Sequence, residues 1–149
     1  MVKGKITFQV EKSIERVFEL ISDIPGYKNW SPGNSKFFIE NKITSEGPIG
    51  LGTTYIDRLQ WFGKAIGEIV QYEPPFEIAF QQKVFFGLPA FSAELNYTLK
   101  AIQNSTEVIH IFEAVPHGLI NLSEPLLSHL IHQERERTCK AIKKTLEQE

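Results

Sequence analysis

Hydrophobic and polar positions alternate near the start of the chain and recur at helical spacing at its end. In Lys3 to Val10, the residues Ile6, Phe8 and Val10 share one face, the pattern of a half-buried strand. Ser13 offers a side-chain cap to a short helix carrying Ile14, Val17, Phe18, Leu20 and Ile21. Asp23 to Trp30 reads as a second short helix or turn, broken at Pro25-Gly26 and closed by Ser31-Pro32-Gly33. Strand patterns follow over Lys36 to Thr44, Thr53 to Trp61, Ala65 to Tyr72, Glu77 to Phe85, Ala93 to Ala101 and Glu107 to Glu113. Turn residues separate them: the Gly47 to Gly52 run, Gly63, Pro74-Pro75, a Gly87-Leu88-Pro89 loop and Asn104-Ser105.

The last stretch, Ser123 to Glu147, predicts one long amphipathic helix, capped by Ser123 with Pro125 in its first turn. Leu126, Leu127, Leu130, Ala141 and Ile142 recur at helical spacing. Between them the stripe turns polar, because Glu134, Arg137 and Thr138 project within about 50° of its centre. A helix that only closed a core should be apolar there. One that roofs a ligand cavity can be polar.

Short turns between successive strands favour antiparallel pairing, since parallel neighbours need long crossovers. A curved antiparallel sheet has one face to cover, and the last helix, about 36 Å long, is the one element long enough to do so. The fold class expected is α+β: a helix-grip arrangement with the sheet wrapped around the C-terminal helix and two short helices after the first strand. At 149 residues, one domain over 1–149 is expected, burying roughly 70% of its unfolded surface.

Composition narrows the function classes. Sixteen basic against eighteen acidic residues, for a formal charge of -2, with no basic stripe, argue against nucleic acid as the partner. The lone Cys139 excludes an internal disulfide and fits a reducing, cytoplasmic compartment. By angle it falls almost opposite the apolar stripe, which speaks against a buried thiol nucleophile. No signal peptide is expected from the opening Met-Val-Lys-Gly-Lys, and no apolar run approaches the ~20 residues a spanning helix needs. Eleven phenylalanines, clustered around Phe76 to Phe91, suit either a core or an aromatic pocket.

Several short runs together carry a family likeness. Val17-Phe18 with Ile21-Ser22-Asp23, Tyr27 and Trp30 resembles the opening of START-like (Bet v 1-like, SRPBCC) proteins. Gly50-x-Gly52-Thr53-x-Tyr55, Tyr72-Glu73-Pro74-Pro75, and Tyr97-x-Leu99 with Thr106-x-Val108 are similar to that superfamily too. The likeness spans nearly the whole chain in order, and its nearest branch is that of bacterial polyketide cyclases/dehydrases and lipid carriers. It implies a deep cavity between sheet and helix for a lipid, quinone or polyketide-like ligand. The superfamily also contains activators of the Hsp90 ATPase, so a protein-interaction module is a further reading.

No catalytic motif stands out. His129 and His132, with Glu136 after them, share a helix side, but the HExxH order is absent and no metal or cofactor is expected. Gly50-x-Gly52 lies between strands and reads as a tight turn, not a phosphate loop. The cavity set is Trp30, Tyr55, Asp57, Trp61, Phe80, Tyr97, Leu130, Glu134, Arg137 and Thr138. Asp57 or Glu134 pairing with Arg137 would simply rigidify the fold. Otherwise these groups orient a ligand, or His110 acts as base with Glu134 or Asp57 orienting it and Tyr97 or Arg137 polarising a carbonyl. Strand alternation leaves the face of His110 open, because both faces are apolar there. Trp30 and the Phe85 to Pro89 loop either edge the cavity mouth, where transient membrane contact fits, or cap the sheet. The expected partner is a hydrophobic small molecule, the expected assembly a monomer or homodimer.

Overall fold

The computed structural model describes residues 1–31, 38–60, 62–118 and 123–149. Strand β1 (Val2–Val10) leads into helix α1 (Ile14–Ser22), a 3-10 turn (Ile24–Gly26) and the single turn α2 (Tyr27–Trp30). Then come β2 (Phe38–Ile43), β3 (Thr54–Leu59), β4 (Gly63–Glu73), β5 (Glu77–Phe86), β6 (Leu88–Ile102) and β7 (Ser105–Pro116). Helix α3 (Glu124–Glu147) ends the chain.

The strands form one antiparallel sheet in the order β1-β7-β6-β5-β4-β3-β2. Consecutive strands from β2 to β7 pair as hairpin neighbours, and β1 closes onto β7 from the far end of the sequence. Side chains alternate across the pleat, so every second residue of β4, from Gly63 to Ile69, is buried and its neighbours face water. On β6 the buried set is Ala90, Ala93, Leu95, Tyr97 and Leu99; on β7 it is Thr106, Val108, His110, Phe112 and Ala114. One face of the sheet is therefore the core face, and α1 and α3 cover it. Val17, Phe18 and Ile21 of α1 join Leu127, Ile142 and Leu146 of α3 in the same core.

Local chemistry sets the helix ends. Ser13 Oγ accepts from the Arg16 backbone N–H and Ser123 Oγ from that of Leu126, both at 3.3 Å, so each helix start has a side-chain cap. The turn before β3 depends on Gly47 and Gly52, both at φ 85, where a side chain would strain the backbone. Thr53 Oγ1 closes that turn by accepting from the Gly50 N–H at 2.8 Å.

The expected fold class and element order hold, with corrections at some ends. Gly87 is a tight turn at φ 77 and β6 already begins at Leu88, so Gly87-Leu88-Pro89 is not a loop. Strand β7 runs on to Pro116. The expected start of the second strand at Lys36, and the Pro32-Gly33 break, lie outside the described residues. Trp61 lies outside them as well. No helix is long and apolar enough to cross a membrane among the described residues.

Candidate ligand-binding cavity

A cavity of about 340 Å³ lies between the core face of the sheet and α3. Its walls are mainly apolar and aromatic, with Tyr55 and Leu59 from β3, Phe80 from β5, and Phe91, Leu95 and Tyr97 from β6. Tyr27 and Trp30 close one side, and α3 forms the roof. Neighbouring rings meet edge to face: Tyr55 with Phe80 at 6.1 Å and Phe80 with Tyr97 at 6.4 Å between centroids. The Tyr55 ring has room because Gly67 stands opposite it on β4. A Cβ there would lie 2.2 Å from Tyr55 Cζ. The Tyr55 hydroxyl donates to Gln82 Oε1 at 2.9 Å.

The roof carries a connected polar group. Arg135 donates through Nε and Nη2 to the two carboxylate oxygens of Glu134, each at 2.7 Å. Its Nη1 reaches the Tyr97 hydroxyl and its Nη2 the Thr138 hydroxyl, both at 3.3 Å. Thr138 donates to the Glu134 carbonyl at 3.0 Å. Adjacent helical residues diverge by about 100°, so this ion pair closes only because both long side chains turn toward the cavity. Burial works against the Arg135 charge, but the Glu134 carboxylate outweighs it and the guanidinium pKa ends above its ordinary value. Burial likewise raises the Tyr97 phenol. At neutral pH this roof presents a fixed cation, held by a carboxylate, beside a neutral phenol.

Asp57 lies on the sheet side, with no salt-bridge partner among the described residues. It is 4% exposed, and its Oδ1 accepts from Asn41 Nδ2 at 2.7 Å. Burial raises its pKa to about 6, against a smaller opposing effect of the Asn41 hydrogen bond.

His110 points inward, which resolves the face that alternation leaves open. It sits behind Tyr97, stacked at 4.1 Å, and is not part of the cavity wall. Its Nδ1 lies 2.9 Å from the Asn96 carbonyl oxygen, so Nδ1 carries the proton and donates. Nε2 is buried with no partner among the described residues. Burial, with the Arg135 charge nearby, lowers its pKa to about 3. Neither Glu134 nor Asp57 orients it.

Of the expected site residues, Trp30, Tyr55, Asp57, Phe80, Tyr97, Leu130, Glu134, Arg137 and Thr138 all line the cavity. The assignment of the α3 face needs correction. Leu126 and Leu130 are 48% and 47% exposed, and Arg137 is exposed, whereas Ile131, Arg135, Cys139 and Leu146 are buried. The buried face is rotated by roughly 80° from the expected stripe. Arg135, not Arg137, is therefore the partner of Glu134, and Cys139 faces the interior. Ile131 and Leu146, apolar positions outside the expected stripe, carried the signal for this face. Asn41 and Gln82 also escaped the sequence reading, because strand partners are a property of register. His132 is not on a free surface either: its ring packs edge-on against Phe112 at 5.2 Å. Among the described residues no cluster of three metal-ligating side chains occurs.

The geometry has counterparts among solved structures. A START superfamily protein from Mycobacterium smegmatis superposes with a TM-score of 0.80 at 16% identity, over 98% of this chain and 97% of its own. The chain has the START-like, Bet v 1-like helix-grip fold. A conserved protein from Geobacillus kaustophilus gives a TM-score of 0.78 at 18% identity, over 99% and 96% of the two chains. Protein CV1439 from Chromobacterium violaceum gives 0.74 at 15% identity, over 97% and 96%. No protein-family model and no curated protein matches the sequence.

Proposed function

We propose that this protein is a cytoplasmic single-domain binder of an apolar or aromatic small molecule, of lipid, quinone or polyketide-like character, held between the sheet and α3. The observation that carries this reading is the cavity itself. Its volume of about 340 Å³ falls within the range of small-molecule sites, and its wall combines aromatic faces with a few convergent polar groups. Glu134, Arg135, Thr138 and Tyr97 satisfy one another, which rigidifies the roof and speaks against their moving a proton. The cavity also favours a small-molecule partner over a protein-interaction module of the Hsp90-activator type.

The test is uptake of the neutral dye N-phenyl-1-naphthylamine. Saturable one-to-one fluorescence enhancement is expected, weakened at least fivefold when Ala93→Phe fills the wall. Absence of saturable uptake by the folded protein refutes the reading.

A second reading, a cyclase- or dehydratase-like enzyme, draws on Asp57. A cavity carboxyl with a pKa of about 6 is placed in the range of a general acid or base. On that reading Asp57→Asn abolishes turnover of a polyketide-like ketone while dye uptake persists.

A further inference from the structure

Asp57 is the buried ionisable group of the cavity wall that lacks a partner of opposite charge among the described residues. It sits on β3 between the inward-facing Tyr55 and Leu59, opposite Asn41 on β2 and Ala65 on β4. Asn41 supplies one hydrogen bond, and its own Oδ1 is buried with no partner among the described residues. A carboxylate taken out of water is costly unless a cation or several donors meet it. The other buried charge, Arg135, is already neutralised by both oxygens of Glu134. The cavity wall therefore holds two carboxylates, Asp57 and Glu134, and two guanidiniums, Arg135 and Arg137, and Asp57 is the carboxylate in contact with neither cation, facing a cavity that Ala65 leaves roomy on the β4 side.

The surroundings are those a cation prefers. Tyr27 and Tyr55 both sense the Asp57 charge, which adds to burial in raising their phenols. Tyr27 packs edge-to-face on Trp30 at 5.3 Å, and all three rings line the cavity. Aromatic faces beside a carboxylate attract organic cations through the ring quadrupole. The ionisable groups facing Asp57 are thus Tyr55 from β3 and Tyr27 from α2, with Glu134, Arg135 and Arg137 on α3 across the cavity. Its strand neighbours on β2 and β4, Asn41 and Ala65, do not titrate.

We propose that the cavity takes an apolar ligand bearing a protonated amine, whose N–H groups bond to the free side of Asp57 while its hydrophobic body lies against the aromatic wall. This rests on the small-molecule reading above and names the ligand class. An alcohol would give the carboxylate a hydrogen bond but leave its charge unmatched, and a carboxylic acid placed against Asp57 would be repelled.

The test uses the full chain and three probes sharing one body: 2-naphthylethylamine, 2-naphthylethanol and 2-naphthylacetate, each competing with N-phenyl-1-naphthylamine. At pH 7.5 the amine should bind at least tenfold tighter than the alcohol, and the acid weakest. Asp57→Asn should erase the amine preference. In the unmodified protein the preference should fall severalfold between pH 7.5 and pH 4.5, a readout that needs no variant. Equal binding of amine and alcohol, or a preference that survives Asp57→Asn, overturns the proposal and leaves the small-molecule reading standing. Failure of the dye and all three probes to bind overturns both.

Discussion

The rings of Tyr97 and His110 lie face to face, 4.1 Å apart and 13° from parallel, as cross-strand partners on β6 and β7. This stacking puts the phenol on the cavity wall and the imidazole behind it, in a place where a charged ring would be poorly solvated.

Acid stability should follow from that placement. The His110 pKa is 6.5 when solvated and about 3 when folded. Between those values the unfolded chain binds a proton that the folded one does not, so stability falls as pH drops from 6.5 toward 3, by roughly 1.4 kcal/mol per pH unit. Asp57 acts in the opposite sense, since its pKa rises from 3.8 to about 6 on folding. Its contribution is fully present below 3.8 and is lost as pH rises through 6. Between 3.8 and 6 the two effects offset each other. Denaturant unfolding across pH should therefore show a nearly flat profile in that window, with Asp57→Asn exposing the acid loss and His110→Phe turning the slope into a gain of stability on acidification. Unchanged slopes in both variants would refute the assignment.

The Glu134–Arg135 pair should be asymmetric. The Arg135 side chain is 9% exposed and that of Glu134 is 34% exposed. Glu134→Ala leaves a cation stranded out of water, which typically costs about 3–5 kcal/mol. Arg135→Met leaves a carboxylate that can still reach water, and about 1–2 kcal/mol is expected. Urea unfolding of the two variants measures the difference; equal losses count against the pair as described.

Gly67 should be intolerant of a side chain for a reason outside its own backbone. A Cβ at Gly67 would meet the Tyr55 ring at 2.2 Å, so Gly67→Val must displace that ring and break the Tyr55–Gln82 hydrogen bond. A loss of about 1–3 kcal/mol is expected, as for overpacked cores, together with weaker dye uptake. Wild-type values for both would show that the ring moves freely.

Cys139 should be inert in the native state. It is 3% exposed, and burial pushes its thiol up to about 12. Labelling by a disulfide reagent at pH 8 should proceed only through unfolding, its rate rising with denaturant in parallel with the unfolded fraction. Rapid labelling in buffer would place the thiol at the surface.

Much of this molecule was legible in its sequence. Period-two alternation in Lys3 to Val10, turn residues at each strand junction, and the Ser13 and Ser123 caps are local signals, and local hydrogen bonding obeys them. The same alternation placed Tyr55, Asp57 and Tyr97 on inward faces, because a strand has only two faces to choose between. The face of α3 was less accessible. Leu126 and Leu130 extend an apolar stripe on paper, yet the helix turns Leu127, Ile131, Thr138, Ile142 and Leu146 to the core. A helix can rotate about its axis to satisfy its neighbours, and apolar residues at a cavity rim tolerate partial exposure.

The chain by itself determined the order of elements, the hairpin pairing and the polar character of the roof, all of which follow from spacing and local chemistry. Only the tertiary structure decided that Arg135 pairs with Glu134, that His110 sits behind Tyr97, and that Asp57 is met by Asn41. Those relations join residues on different strands, or side chains whose direction depends on helix rotation. They were settled by which groups could be desolvated together.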